Sequence, residues 1–184
     1  MTSLPNRSQT ALLIVDVQND VMAESHEPAP IVANIQTLVA AARESDTAVI
    51  WVQHSDPELP KGSPGWEYVP ELPRRDSEAL VHKNYGDAFE DTDLEAVLAQ
   101  NNIGHLVVAG AETDACIRST IHGAFTRGYD VTLVSDAHTA SDKSQWGAPA
   151  VPDVVAHTNL YWQFQRAPGR TAAVVATAEV QFPH

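Results

Sequence analysis

The chain has 184 residues, a single cysteine and a formal net charge of −13. That length suits one domain whose core needs neither a disulfide nor a structural metal, and one thiol rules out an intrachain disulfide. The acidic balance argues against a general affinity for nucleic acid or anionic membrane, and no apolar run approaches the ~20 residues of a membrane span. The stretch MTSLPNRSQT lacks the basic and apolar regions of a signal peptide, so a cytoplasmic protein is expected. The negative charge would suit a cationic ligand and equally suits solubility, so charge alone does not choose between them.

Ala11 to Val17, ALLIVDV, is a continuous apolar run that holds an acid, the pattern of a central parallel strand with Asp16 at its C-terminal edge. Pro28 to Ser45 carries Ile31, Ile35, Leu38, Val39 and Ala42 at helical spacing, with two prolines at its start. Thr47 to Val52 is the next strand. Strand, helix, strand is the βαβ unit of a doubly wound sheet. His54 to Asp76 then forms the longest irregular stretch, rich in Pro, Gly and charge, with Trp66 and Tyr68 either lining a pocket or interface or capping the core.

Leu80 to Lys83 reads as a short strand that puts Lys83 on the same edge as Asp16. A helix follows from Asp91 or Thr92 to about Asn101, and Thr92 with Glu95 matches a capping box. His105 to Ala109 is a Val-rich run between Gly104 and Gly110 and reads as a buried strand. Thr113 or Asp114 can cap the helix that follows, with Ala115, Ile117, Ile121, Ala124 and Phe125 on its apolar face and Gly128 as its stop. Cys116 falls in its first turn, where unpaired N–H groups and the helix dipole favour a thiolate and offer donors to an oxyanion. Asp130 to Ser135 is a strand, Pro152 to Arg166 a helix, and Thr171 to Thr177 a last strand. The whole chain, 1–184, reads as one α/β domain with no repeat or linker.

Asp16, Lys83 and Cys116 each follow a separate apolar strand, and in a parallel sheet those ends converge on one face. A carboxylate can take a thiol proton, and an ammonium can stabilise both the thiolate and the carboxylate.

Several spaced motifs carry a resemblance: LLIVDVQND, GSPGWEYVPEL, VHKNYGDAFEDTDLEAVL, VVAGAETDACIRSTIHGAFTRGYDVTLVSDA and AHTNLYW. In this order they resemble the isochorismatase-like cysteine hydrolases, the superfamily that includes nicotinamidase and N-carbamoylsarcosine amidohydrolase. The resemblance implies a three-layer α/β/α fold with a six-stranded, mainly parallel, Rossmann-like sheet. It makes Asp16 the general base, Lys83 its charged neighbour and Cys116 the nucleophile. It also implies a non-proline cis peptide at Ala111–Glu112 that orients oxyanion donors, the backbone N–H groups of Glu112 and Cys116. The implied chemistry is hydrolysis of a C–N bond through a thioester. Members usually form homodimers or larger assemblies.

Nicotinamidases in the superfamily hold a metal through an Asp and two His, one of them in a motif close to GAxFHP. Here the matching stretch is GWEYVPEL, with Val69 at the His position, leaving only His54 and Asp56. Two ligands make a poor transition-metal site, so no metal and no cofactor are expected. QHSD, VHKNYGDAFEDTDLE, TDACIRST and AHTNLYW look most similar to the streptothricin hydrolase branch, whose members open a cyclic amide in a cationic antibiotic. Gln18, Tyr85, Phe89 and Trp146 are the candidate substrate-binding residues, with Trp146 entering from a following loop or a neighbouring subunit. The competing readings are another hydrolase activity of the superfamily, nicotinamidase or isochorismatase, and a non-catalytic binding module. A flavin or nucleotide binder on the same architecture would call for a GxGxxG or P-loop, and the chain has neither.

Overall fold

The computed structural model describes residues 2–182. Seven strands form one sheet in the order β3-β2-β1-β4-β5-β7-β6. They are β1 (Gln9–Val15), β2 (Ala48–His54), β3 (Ala79–Lys83), β4 (Ile103–Ala111), β5 (Asp130–Thr139), β6 (Arg166–Ala167) and β7 (Arg170–Val175). All pairs are parallel except β6 with β7. The sequence predicts six strands. The seventh, β6, is two residues long and therefore too short for any periodic signal.

Alternation along the strands divides the core in two. Ala11, Leu13 and Val15 of β1 face one side, where they meet Leu94 and Leu98 of α3 (Leu94–Gln100), Ile121, Ala124 and Phe125 of α4 (Arg118–Arg127), and Trp162 of α5 (Val151–Gln163). Leu12 and Ile14 face the other side and meet Val32, Ile35, Leu38, Val39 and Ala42 of α2 (Pro28–Glu44). This is the three-layer α/β/α arrangement, and each apolar side chain removed from water contributes about 1.5–3 kcal/mol.

Local details differ from the sequence reading. The five-residue α1 (Asn19–Ala23) is too short to announce itself by periodicity. The capping box does not form: α3 begins after Asp93, and the Thr92 hydroxyl donates to Ala88 O while accepting from Leu94 N–H. Glu95 is engaged elsewhere, accepting from Arg7 and Tyr129. In the long connection after β2, Trp66 and Tyr68 cap the core. Trp66 stacks on His82 at 5.5 Å, and the Tyr68 hydroxyl donates to Val52 O while its ring meets Trp51 edge-on. Glu78 fastens that connection by accepting from Arg43 twice, at 2.7 and 2.9 Å, and from Trp51 Nε1 at 2.8 Å.

Candidate active site

The strand order reverses between β1 and β4, whose neighbours β2 and β5 lie on opposite sides. Such a switch opens a crevice beyond the carboxyl ends of the strands. Asp16 stands just past β1 with φ 52°, a left-handed conformation that Asp tolerates better than most residues. Lys83 is the last residue of β3, two strands away from β1. Adjacent strands are ~4.8 Å apart, so only a long side chain from β3 can reach the crevice. Its Nζ lies 2.7 Å from Asp16 Oδ2 and donates to Cys116 Sγ at 3.2 Å.

Cys116 does not sit in the first turn of an α-helix. It lies in a π turn, Thr113–Ile117, that precedes α4, with extended Glu112 at its head and no side-chain cap from Thr113 or Asp114. Glu112 O accepts from the N–H groups of Ala115 and Ile117 and skips that of Cys116 between them. The Ala111–Glu112 peptide is cis, as the resemblance implies. Thr113 is instead buried, bonded through its hydroxyl to His138 Nδ1 at 2.8 Å, and His138 Nε2 meets Asn159 Oδ1 at 3.0 Å. That chain ties the π turn to β5 and α5.

The three groups tune one another. Burial pushes the Cys116 thiol up to about 12; the Asp16 charge adds to this and Lys83 opposes it. The resting group is therefore a thiol, not the thiolate that a helix N-terminus suggests. Charge counting gives the reason. Carboxylate, ammonium and thiol are together neutral, whereas losing the thiol proton to solvent would leave a net negative charge out of water. Burial likewise raises the Asp16 carboxyl against the pull of Lys83, and it works to discharge Lys83, which the Asp16 carboxylate nevertheless holds above its ordinary value. Passing the thiol proton to Asp16 keeps the buried charge at zero.

Asp16 and Cys116 lie in the wall of a cavity of about 480 Å³. Around it stand Asp20, Glu24, Asp56, Glu58 and Glu112, with Val21, Ala23, Leu59 and Ser141 between them. Asp20, Glu24 and Glu58 are exposed side chains, whereas Glu112 is bonded to Ser141 and Lys143. None of the four candidate substrate-binding residues is on these walls. Gln18 is fully buried with its amide committed: Nε2 donates to His54 O and Trp66 O, and Oε1 accepts from His54 N–H. Phe89 packs in the core against Tyr129. Tyr85 contributes its backbone carbonyl to Lys83 while its side chain is exposed, and Trp146 projects from a short 3-10 turn with 76% of its surface exposed. Asp20, Glu24 and Glu58 carried no signal in the sequence beyond their nearness to Asp16 and His54 in the chain.

His54 and Asp56 do not fit a metal. The ring nitrogens of His54 are taken by Lys83 and Asp56, and Val69 is part of the core. Among the described residues no group of three His, Cys, Asp or Glu side chains is arranged to hold an ion.

Fold and site together define a class, a three-layer α/β hydrolase with its polar centre at the carboxyl edge of the sheet. The Isochorismatase domain model matches residues 10–150, and the chain belongs to the isochorismatase family. Among curated relatives, the ureidoacrylate amidohydrolase RutB of Cronobacter sakazakii is 28% identical over 171 residues, covering 70% of this chain and 74% of that one. A cysteine hydrolase from Pseudomonas syringae pv. phaseolicola superposes with a TM-score of 0.81 at 26% identity, over 97% of this chain and 94% of the other. An isochorismatase-type structure from Burkholderia xenovorans gives 0.82 at 31% identity, over 92% and 84%.

Proposed function

We propose that this protein is a metal-independent cysteine amidohydrolase that cleaves a C–N bond in a small, positively charged amide, with Asp16, Lys83 and Cys116 as its catalytic triad. The observation that carries the reading is the contact of one carboxylate, one ammonium and the only thiol at the base of a cavity. Asp16 takes the Sγ proton as sulfur bonds to the carbonyl carbon, and the carbonyl electron pair moves onto oxygen. The N–H groups of Glu112 and Cys116 hold that oxyanion. Collapse breaks the C–N bond, the proton on Asp16 passes to the departing amine, and a thioester remains. Water then attacks the thioester, giving one proton to Asp16. The C–S bond breaks, sulfur recovers that proton, and a carboxylic acid leaves.

The acidic cavity bears on the substrate. An acrylate, such as the substrate named for the RutB relatives, carries a carboxylate that would enter against Asp20, Glu24 and Glu58. A cationic amide enters with that field, and a streptothricin-type lactam is the candidate offered by the sequence resemblance. Cys116→Ala tests the chemistry. It is expected to lower turnover of any accepted amide by about 10³-fold or more with the fold retained, while the wild type shows an acyl adduct on Cys116 by mass spectrometry. Undiminished turnover in Cys116→Ala would sink the reading. The cationic preference is tested separately, by comparing amides of matched size and opposite charge.

A further inference from the structure

We propose that His54 is a positioning residue for Lys83: its Nδ1 lone pair anchors the ammonium so that a single N–H is shared between Asp16 and Cys116. The inference rests on the cysteine-hydrolase reading of the same site. Lys83 Nζ has four neighbours, His54 Nδ1 at 3.2 Å, Tyr85 O at 3.1 Å, Cys116 Sγ at 3.2 Å and Asp16 Oδ2 at 2.7 Å. An ammonium has three N–H donors. Four acceptors therefore compete for three protons. The Tyr85 carbonyl and the His54 ring are uncharged and fixed, and they occupy two of the three. One N–H remains for the carboxylate and the sulfur, and neither Asp16 oxygen makes a hydrogen bond of regular geometry.

The ring is held in the state this requires. His54 Nε2 lies 3.0 Å from Asp56 Oδ2, and a carboxylate only accepts, so the ring proton belongs on Nε2. Lys83 only donates, which demands a bare Nδ1, and both neighbours thus select one neutral tautomer. Asp56 is itself fixed, because its Oδ1 accepts from the N–H groups of Glu58 at 2.8 Å and Leu59 at 2.7 Å. Gln18 clamps the His54 backbone from the other side, donating to its carbonyl at 2.9 Å and accepting from its N–H at 2.8 Å. A rigid chain therefore runs from the connection after β2 to the nucleophile.

The consequence is chemical. While the proton is on sulfur the negative charge is on Asp16, and once it moves the charge is on sulfur. The one shared N–H follows that charge. Without Nδ1 a second N–H is freed, so the carboxylate keeps a donor of its own while the proton is still on sulfur, and this makes Asp16 a weaker base toward the thiol.

The test reads the only cysteine with iodoacetamide and needs no substrate. His54→Asn keeps an acceptor near the Nδ1 position, whereas His54→Gln keeps a partner for Asp56 and removes the acceptor facing Lys83. At a common pH, His54→Gln is expected to alkylate about tenfold more slowly than wild type, and His54→Asn within about threefold of it. Equal rates in all three proteins, or a His54→Asn as slow as His54→Gln, overturns the proposal. A second measurement needs no variant: ¹⁵N NMR of the imidazoles is expected to show His54 as the neutral Nε2–H tautomer, and an Nδ1–H or doubly protonated ring overturns the proposal by itself. An amide panel without turnover would overturn the hydrolase reading alone, since neither readout depends on turnover.

Discussion

Cys116 and Asp16 respond to burial in the same direction, upward, and Lys83 opposes the rise in both. A thiol whose pKa is raised by burial to about 12 ionises only as pH climbs toward that value. Alkylation of the wild type should therefore keep accelerating beyond the ~8.5 at which an ordinary thiol levels off, and a plateau near that value would contradict the assignment. Asp16→Asn removes the nearby negative charge while Lys83 stays. The thiolate becomes easier to form, so the alkylation profile moves to lower pH. The proton acceptor is lost at the same time, so amide turnover falls by about 10³-fold. Easier alkylation with lost hydrolysis is a pair that a merely destabilised protein would not show, and matched loss of both would argue against the assigned roles.

The site depends on how its supporting elements end. Gly110, near the end of β4, has φ 127°, and a Cβ there would meet Val15 O at 2.0 Å. Only glycine lets β4 close against β1 where Asp16 and Glu112 diverge. Gly110→Ala is expected to cost about 3 kcal/mol or more, seen as a lowered urea midpoint, and a variant as stable as wild type would refute this account. Glu78 does similar work for the connection after β2. Burial raises its carboxyl, but Arg43 and the other donors more than offset this and leave it below the ordinary carboxylate range. The sign follows from linkage: a depressed folded pKa gives stability that is present above the unfolded value of ~4.3 and is lost as pH falls through the folded one. Glu78→Gln should cost about 2 kcal/mol near neutral pH and flatten the acid side of the stability profile. A variant with the same acid dependence as wild type would count against the Arg43 pairing.

At the scale of the molecule, the charge of −13 and the acidic cavity act together on what approaches. For a cationic amide, kcat/KM should fall as salt is added, and for an anionic amide of equal size it should rise. Replacing Asp20, Glu24 and Glu58 by their amides should reduce the preference for the cation by about tenfold, since each rim charge contributes a fraction of a kcal/mol to ~1 kcal/mol. Salt-independent rates for both substrates would remove the steering argument.

Whatever depends on short-range pattern is legible along the chain. Apolar runs mark β1, β2 and β4, because a strand covered on both faces must be hydrophobic throughout, and Asp16, Lys83 and Cys116 are legible as polar residues at or beyond the ends of strands. Gly128 is legible as the stop of α4, since its φ of 110° needs glycine. The rest is set by long-range packing. The π turn at Cys116, the neutral thiol and the commitment of Gln18 all depend on groups brought together from distant parts of the chain, and desolvation has no local signature. Gln18, Tyr85, Phe89 and Trp146 lie near the motifs in the chain yet do not line the cavity, whereas Asp20, Glu24 and Glu58 do. Which way a side chain points beyond a strand end is set by packing between β1, β2 and β4, and no spacing along the chain records it.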